Sequence, residues 1–181
     1  MSFNPATIQI PEDLLASMLV ECQMWRAMVA YPLVDWEELK PIVAAGGIDE
    51  GDAALRIENV YFDERVAENP PRPRCVIRQF DDETSIRDGG FSLSGNIVAV
   101  FELSVPDIYS GQEGPAIYDA RKKLFALKTE LLNLGPQGGR MPILSLAMSA
   151  TGINDPVDDG SGDADRFLVG VFAVQYDGGA C

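Results

Sequence analysis

The stretch that decides the fold is "GNIVAVFELSVPDIYSGQEGPAIYDARKKLFALKTELLNLGP", residues 95–136. Its first part alternates: Ile97, Ala99, Phe101, Leu103 and Val105 fall on one side of a strand, and Val98, Val100, Glu102 and Ser104 on the other. One face is wholly apolar and the second turns polar towards its end, which suits a sheet covered by a helix on one side and partly covered on the other. A polar turn follows, and then a helix over 115–134, opened by Gly114-Pro115 and closed by Gly135-Pro136. Ile117, Ala120, Leu124, Leu127, Leu131 and Leu134 form its narrow apolar stripe, widened by Tyr118, Phe125 and Leu132. Arg121, Lys122, Lys123 and Lys128 take most of the remaining surface.

Upstream, "PEDLLASMLVECQMWRAMVA" reads as one amphipathic helix over 11–30. Pro11 sits in its first turn, with Glu12 and Asp13 against the positive end of the dipole. In "YPLVDWEELKPIVAAGG", Asp35 and Glu38 have capping-box spacing, and Pro41 with Gly46-Gly47 limits this helix to a turn or two. "AALRIENVYFDE" predicts a strand, and the proline-rich "RVAENPPRPR" an extended entry into a further strand, "RCVIRQF", residues 74–80. The loop "DDETSIRDGGFSLSGN" then returns the chain to Ile97. After the 115–134 helix, "MPILSLAMSA" and "DRFLVGVFAVQY" predict two more strands, joined by "TGINDPVDDGSGDA".

A helix set between strand pairs predicts an α+β fold: a mostly antiparallel sheet of about four to five strands with helices packed on one face. A chain of 181 residues fits a single domain, 1–181. Its parts are the N-terminal helix (11–30), an acidic elaboration (35–66), a hairpin (74–105), the central helix (115–134) and a closing hairpin (141–177).

Composition narrows the chemistry. Histidine is absent, which closes Ser-His and Cys-His nucleophile arrangements and the usual zinc sites. Carboxylate pairs remain possible for glycoside chemistry, but Asp81, Asp82 and Glu83 fall on a polar segment, where a solvated loop is the more frequent outcome. In "DPVDDGSGDAD", an EF-hand register begun at Asp159 puts Ala164 where the sharp turn wants glycine and Gly170 where the bidentate glutamate belongs. The glycine runs lack the spacing of a phosphate cradle. No catalytic residue, no metal and no cofactor are expected. Trp25 and Trp36 occupy apolar helical positions and are core or interface residues before they are stacking platforms. Cys22, Cys75 and Cys181 form no CxxC pair; two suit the core, and the last is a free C-terminal thiol. The N-terminal segment lacks the basic and apolar parts of a secretory signal, and no apolar run approaches the roughly 20 residues of a membrane span, so a cytoplasmic protein is expected.

Charge is informative as well. Twenty-eight acidic residues against fourteen basic ones give a net charge of −14, which disfavours attraction to phosphate. Acidity of this kind keeps a protein soluble, or keeps a surface beside DNA from sticking to it. Four of the fourteen basic residues lie within residues 121–128, either as a solvated helix face or as a face towards an acidic partner.

The amphipathic N-terminal helix, the proline-led "PPRPRCVIRQF", the apolar "GNIVAVFELSV", the helix "AIYDARKKLFALKTELLNL" and the closing "DRFLVGVFAVQY" together resemble the tail terminator (tail completion) proteins of long-tailed bacteriophages. The resemblance is one of pattern and order and runs from about residue 11 to 177; segments 35–66 and 154–165 depart from it. It implies a structural virion protein in the tail or neck, assembled in the host cytoplasm. Such a protein forms a ring, typically of six copies, that caps the tail tube, stops its growth and joins the tail to the head. Implied partners are further copies of the chain, the tail tube protein and a neck or head-completion protein, with a sheath protein as a further candidate. DNA passes through the ring without specific binding, and no membrane is involved. On this reading Arg121, Lys122, Lys123 and Lys128 point outward to a subunit interface, and Asp81, Asp82, Glu83 and Asp88 line the lumen. The alternatives are a neck or head-closure connector, a carboxylate-only enzyme and a monomeric adaptor.

Overall fold

A computed structural model describes residues 10–46, 48, 59–62, 72–87, 90–134, 143–154 and 167–178. Among the described residues three helices come first: α1 (Pro11–Glu21), α2 (Gln23–Ala30) and α3 (Trp36–Ala44). The strands β1 (Val60–Phe62), β2 (Arg74–Arg87) and β3 (Gly90–Ser104) follow. A 3-10 turn (Asp107–Tyr109) leads into α4 (Glu113–Leu134), and β4 (Ile143–Asn154) and β5 (Phe167–Gly178) complete the sheet. The five strands lie in the order β1-β2-β3-β5-β4. Among the described residues β1 and β2 pair in parallel, and the β2–β3, β3–β5 and β4–β5 pairs are antiparallel. The expected α+β architecture is the one observed.

Strand alternation sorts the sheet as the sequence demands. Cys75 and Ile77 of β2, Ile97, Ala99, Phe101 and Leu103 of β3, and Leu168, Phe172, Val174 and Tyr176 of β5 are buried together. The helices supply Leu15, Met18, Leu19, Met24, Trp25, Met28, Leu124, Leu127 and Leu131 to the same cluster. At its centre Trp25 meets Phe101 edge-on at 5.6 Å, and Phe101 meets Phe172 at 4.7 Å. Cys22 and Cys75 are buried within this core, and burial pushes the Cys75 thiol well above its ordinary value. On the opposite face of β3, Glu102 receives Arg72 at 2.9 Å and Arg74 at 2.6 Å, and the Arg72 guanidinium lies 3.9 Å from the centre of the Phe167 ring.

Beyond small shifts, α4 beginning at Glu113 rather than 115 and β4 running to Asn154 into the expected connection, three features differ from the sequence reading. The helix expected over 11–30 is broken at Cys22, whose extended backbone (φ −66°, ψ 123°) separates α1 from α2. Neither proline nor glycine marks the break. It is held from a distance by Glu130 of α4, whose carboxylate accepts from Gln23 N at 2.6 Å and Met24 N at 2.9 Å, capping the first amides of α2. Next, α3 runs through Pro41 to Ala44 and stops before Gly46, at φ 64°. Asp35 caps its start by accepting from Glu38 N at 2.9 Å, as the spacing predicts.

The third difference is the largest. The segment expected as a loop, 81–96, is mostly strand: β2 and β3 pair from Arg74↔Glu102 to Arg87↔Gly90, with a bulge between Gln79 and Asp81. The register sets Thr84 opposite Leu93 and Ile86 opposite Phe91, residue types that favour strands. Beyond Leu93, which faces Gly178, the hairpin continues past its pairing with β5.

Helix and sheet approach closely where α4 crosses β5. A Cβ on Gly170 would collide with Leu124 Cδ1, so glycine lets the two elements meet there without displacing that buried side chain. Gly170→Ala is expected to cost about 1–3 kcal/mol in denaturant unfolding. Adding Leu124→Ala should recover part of that loss, and coupling between the two sites in a double-mutant cycle checks the contact.

Candidate functional site

The features of α4 are arranged by its helical pitch. At about 100° per residue, Asp119, Lys123 and Glu130 fall within a sector of roughly 40°, beside the stripe of Leu124, Leu127 and Leu131. All three hold the N-terminal helices. Asp119 Oδ1 accepts from Trp36 N at 2.7 Å, and its Oδ2 lies 2.8 Å from Lys123 Nζ. Lys123 Nζ donates to Val34 O at 2.6 Å. Asp119 and Lys123 are both buried.

Lys123 therefore does not point outward, contrary to the sequence expectation for a subunit contact. The carbonyl of Val34 and the carboxylate of Asp119 satisfy its ammonium inside the fold, where an unpaired charge would be costly. Of the other three basic residues, Arg121 is exposed and Lys128 half-buried. Lys122 lies 3.4 Å from Glu37 and 4.5 Å from the centre of the Tyr118 ring. Lys40 first, and then Lys122, hold the Glu37 carboxyl below its ordinary range.

A second correction concerns the apolar residues expected to widen the core stripe. Tyr118 is 63% exposed, Phe125 60% and Leu132 38%. They recur every seven residues, so they line up on the side of α4 turned away from the sheet. Arg121 and Lys128 flank this ridge on one side and Lys122 on the other.

Asp81, Asp82 and Glu83 lie on β2, exposed, rather than on a free loop. They line a groove of about 560 Å³ together with Gly95, Asn96, Tyr176 and Asp177. Asp81 is tied down, its Oδ1 accepting from Asn96 N at 3.0 Å and Asn96 Nδ2 at 2.7 Å. Gln79 Nε2 donates to Asp81 O at 2.7 Å and to the Tyr176 hydroxyl oxygen at 2.9 Å. Gly95 sits at this crossing because a Cβ would strike the Asp81 carbonyl and the Tyr176 hydroxyl. Asp88 lies outside the described residues.

Among the described residues no group of three or more Cys, Asp or Glu side chains is placed to hold a metal ion. No helix among them is long and apolar enough to cross a membrane.

No protein-family model matches the sequence, and no curated protein matches it. Among solved structures, a chain from the virion of a native gene transfer agent particle is similar over 72% of this chain and 87% of that chain. The identity is 16% and the TM-score 0.33.

The anchoring pair gives one testable outcome. Lys123→Met should lower stability by about 3–5 kcal/mol, because it strands the Asp119 carboxylate without its cation. Lys123→Met combined with Asp119→Asn keeps an acceptor for Trp36 N and should recover much of that loss in urea unfolding. A second outcome concerns alkaline pH. Burial raises the Tyr176 phenol; the Gln79 hydrogen bond opposes this, and the carboxylates of Asp82, Glu12 and Asp81 add to it. The raised value favours folding fully below the unfolded value of about 10, and that contribution is lost as pH climbs through the folded value. Phenolate absorbance of Tyr176→Phe should lack one late-titrating group.

Proposed function

We propose that this chain is a structural virion protein, a phage tail terminator. Copies close into a ring, hexameric by the resemblance, that caps the tail tube, ends its elongation and joins the tail to the neck. The observation that carries this reading is the order of elements. An amphipathic N-terminal helix pair, a proline-led strand, a long apolar strand, a central helix and a closing strand pair build one sheet with its helices on one face. That is the order on which the sequence resemblance rests.

The surfaces suit such a role. The outward ridge of α4 offers exposed aromatic and basic groups for docking, while the acids of β2 stand at the base of a projecting hairpin. In the ring, Asp82 and Glu83 turn a negative wall to the lumen, with Asp81 held beside them by Asn96 and with Asp88 assigned to the same wall from sequence. Like charges at short range keep passing phosphates from lodging there.

Electron microscopy of tails assembled without this protein tests the reading: overlong tubes are expected. Tubes of normal length with detached heads would assign the chain to the neck or head closure instead. In gel shifts at low ionic strength, purified protein should leave duplex DNA unretarded. A triple Lys variant at Asp81, Asp82 and Glu83 should retard it.

A further inference from the structure

Two features of the chain have opposite shape and opposite charge, and the fold sets them towards opposite edges of the sheet. One is the ridge of Tyr118, Phe125 and Leu132 on α4, the helix that packs over β4 and β5. The other is a groove of about 360 Å³ between α1 and the edge strand β1, lined by Asp13, Ala16, Ser17, Val20, Val60 and Phe62. Residues 13, 16, 17 and 20 follow helical spacing, so one side of α1 forms one wall. Phe62, 45% exposed on the short edge strand, belongs to the other. The groove is mostly apolar, of a size that admits an aromatic side chain, and carries Asp13 as its charged member.

We propose that the ridge of α4 seats in the α1–β1 groove of the next copy of this chain, with Phe125 as the apolar anchor and Arg121 paired with Asp13. The contact is heterologous, because ridge and groove are different surfaces, and contacts of that kind close into rings when the rotation between copies permits. Charge selects this arrangement over its competitor. A two-fold contact of ridge on ridge would bring Arg121, Lys122 and Lys128 of one copy against the same residues of another, whereas the groove presents a carboxylate. An exposed aromatic flanked by arginine also has the composition that dominates binding energy at protein interfaces. The inference deepens the ring reading and rests on it for closure, but the pairwise contact is tested separately.

The test uses full-length chains and sedimentation analysis. The wild type should gain mass with concentration. Phe125→Asp (ridge) and Phe62→Asp (groove) should each raise the self-association Kd by roughly tenfold or more while circular dichroism stays unchanged. Mixed together, the two variants keep one intact ridge and one intact groove, so they should form a dimer that grows no further. Arg121→Glu and Asp13→Arg should each weaken assembly alone and restore it when mixed. A wild type that stays monomeric at every concentration overturns the proposal, as does a mixture that stays monomeric or a ridge variant that assembles unchanged. Overlong tails without the protein, combined with failure of the mixing experiment, would leave the terminator reading standing and remove this contact. Normal tails with a successful mixture would do the reverse.

Discussion

The helical layer depends on α4 holding backbone groups of the N-terminal helices with charged side chains turned inward. Asp119, Lys123 and Glu130 reach Trp36 N, Val34 O and the amides of Gln23 and Met24. Each target sits where a helix begins or a connection turns, and such groups must find partners once buried. Apolar packing alone fixes how deep a helix lies on a sheet, but it is weakly directional. These four hydrogen bonds fix where α2 and α3 sit along α4, and so where the core residues Trp25 and Leu39 are placed. Because these residues occupy the flank of the buried stripe, Tyr118, Phe125 and Leu132 are left on the far side. The exposed ridge is a consequence of the buried polar flank.

This inversion also explains what the sequence disclosed and what it hid. The α+β class, the order of elements, the cap at Asp35, the core placement of Cys22 and Cys75 and the buried face of β3 are legible, because each follows from local periodicity or spacing. The break at Cys22 is not, since its cause lies 108 residues away in Glu130. The hairpin beyond Gln79 reads as a loop because "DDETSIRDGG" is polar and ends in glycines. Its strand character depends on pairing across to Phe91 and Leu93, which composition does not display. Lys123 reads as solvent-facing because it is one of four clustered cations, which suggest a surface. Only the carbonyl of Val34 and the carboxylate of Asp119 make its burial tolerable. A signal was available: Asp119 and Lys123 are four apart, one turn of helix, next to the apolar stripe.

The acidic surplus has a corresponding logic. Glu102 and Glu130 are engaged by arginines or backbone amides, and Asp119 by Lys123 and Trp36. Asp81 is spent on Asn96 at the bulge. Asp82 and Glu83 remain exposed along the same strand, beside Asp177 in one groove. A strand holds such charges at fixed spacing, which a loop would not. On the proposed reading, a lumen wall that repels phosphate would gain from that order.

The same economy bears on how copies would meet. Among the described residues β1 is an edge strand of three residues, and short edges limit unwanted strand pairing. With strand addition restricted on that side, specificity there must come from side chains, and Val60 and Phe62 supply apolar surface without a long run of open backbone. A helix ridge entering that groove needs no backbone hydrogen bonds from the strand. In the proposed contact the fit would be set by the size of Phe125 and the sign of Arg121. A self-contact built this way discriminates by shape and charge, and leaves the hairpin of β2 and β3 free to face whatever passes beside it.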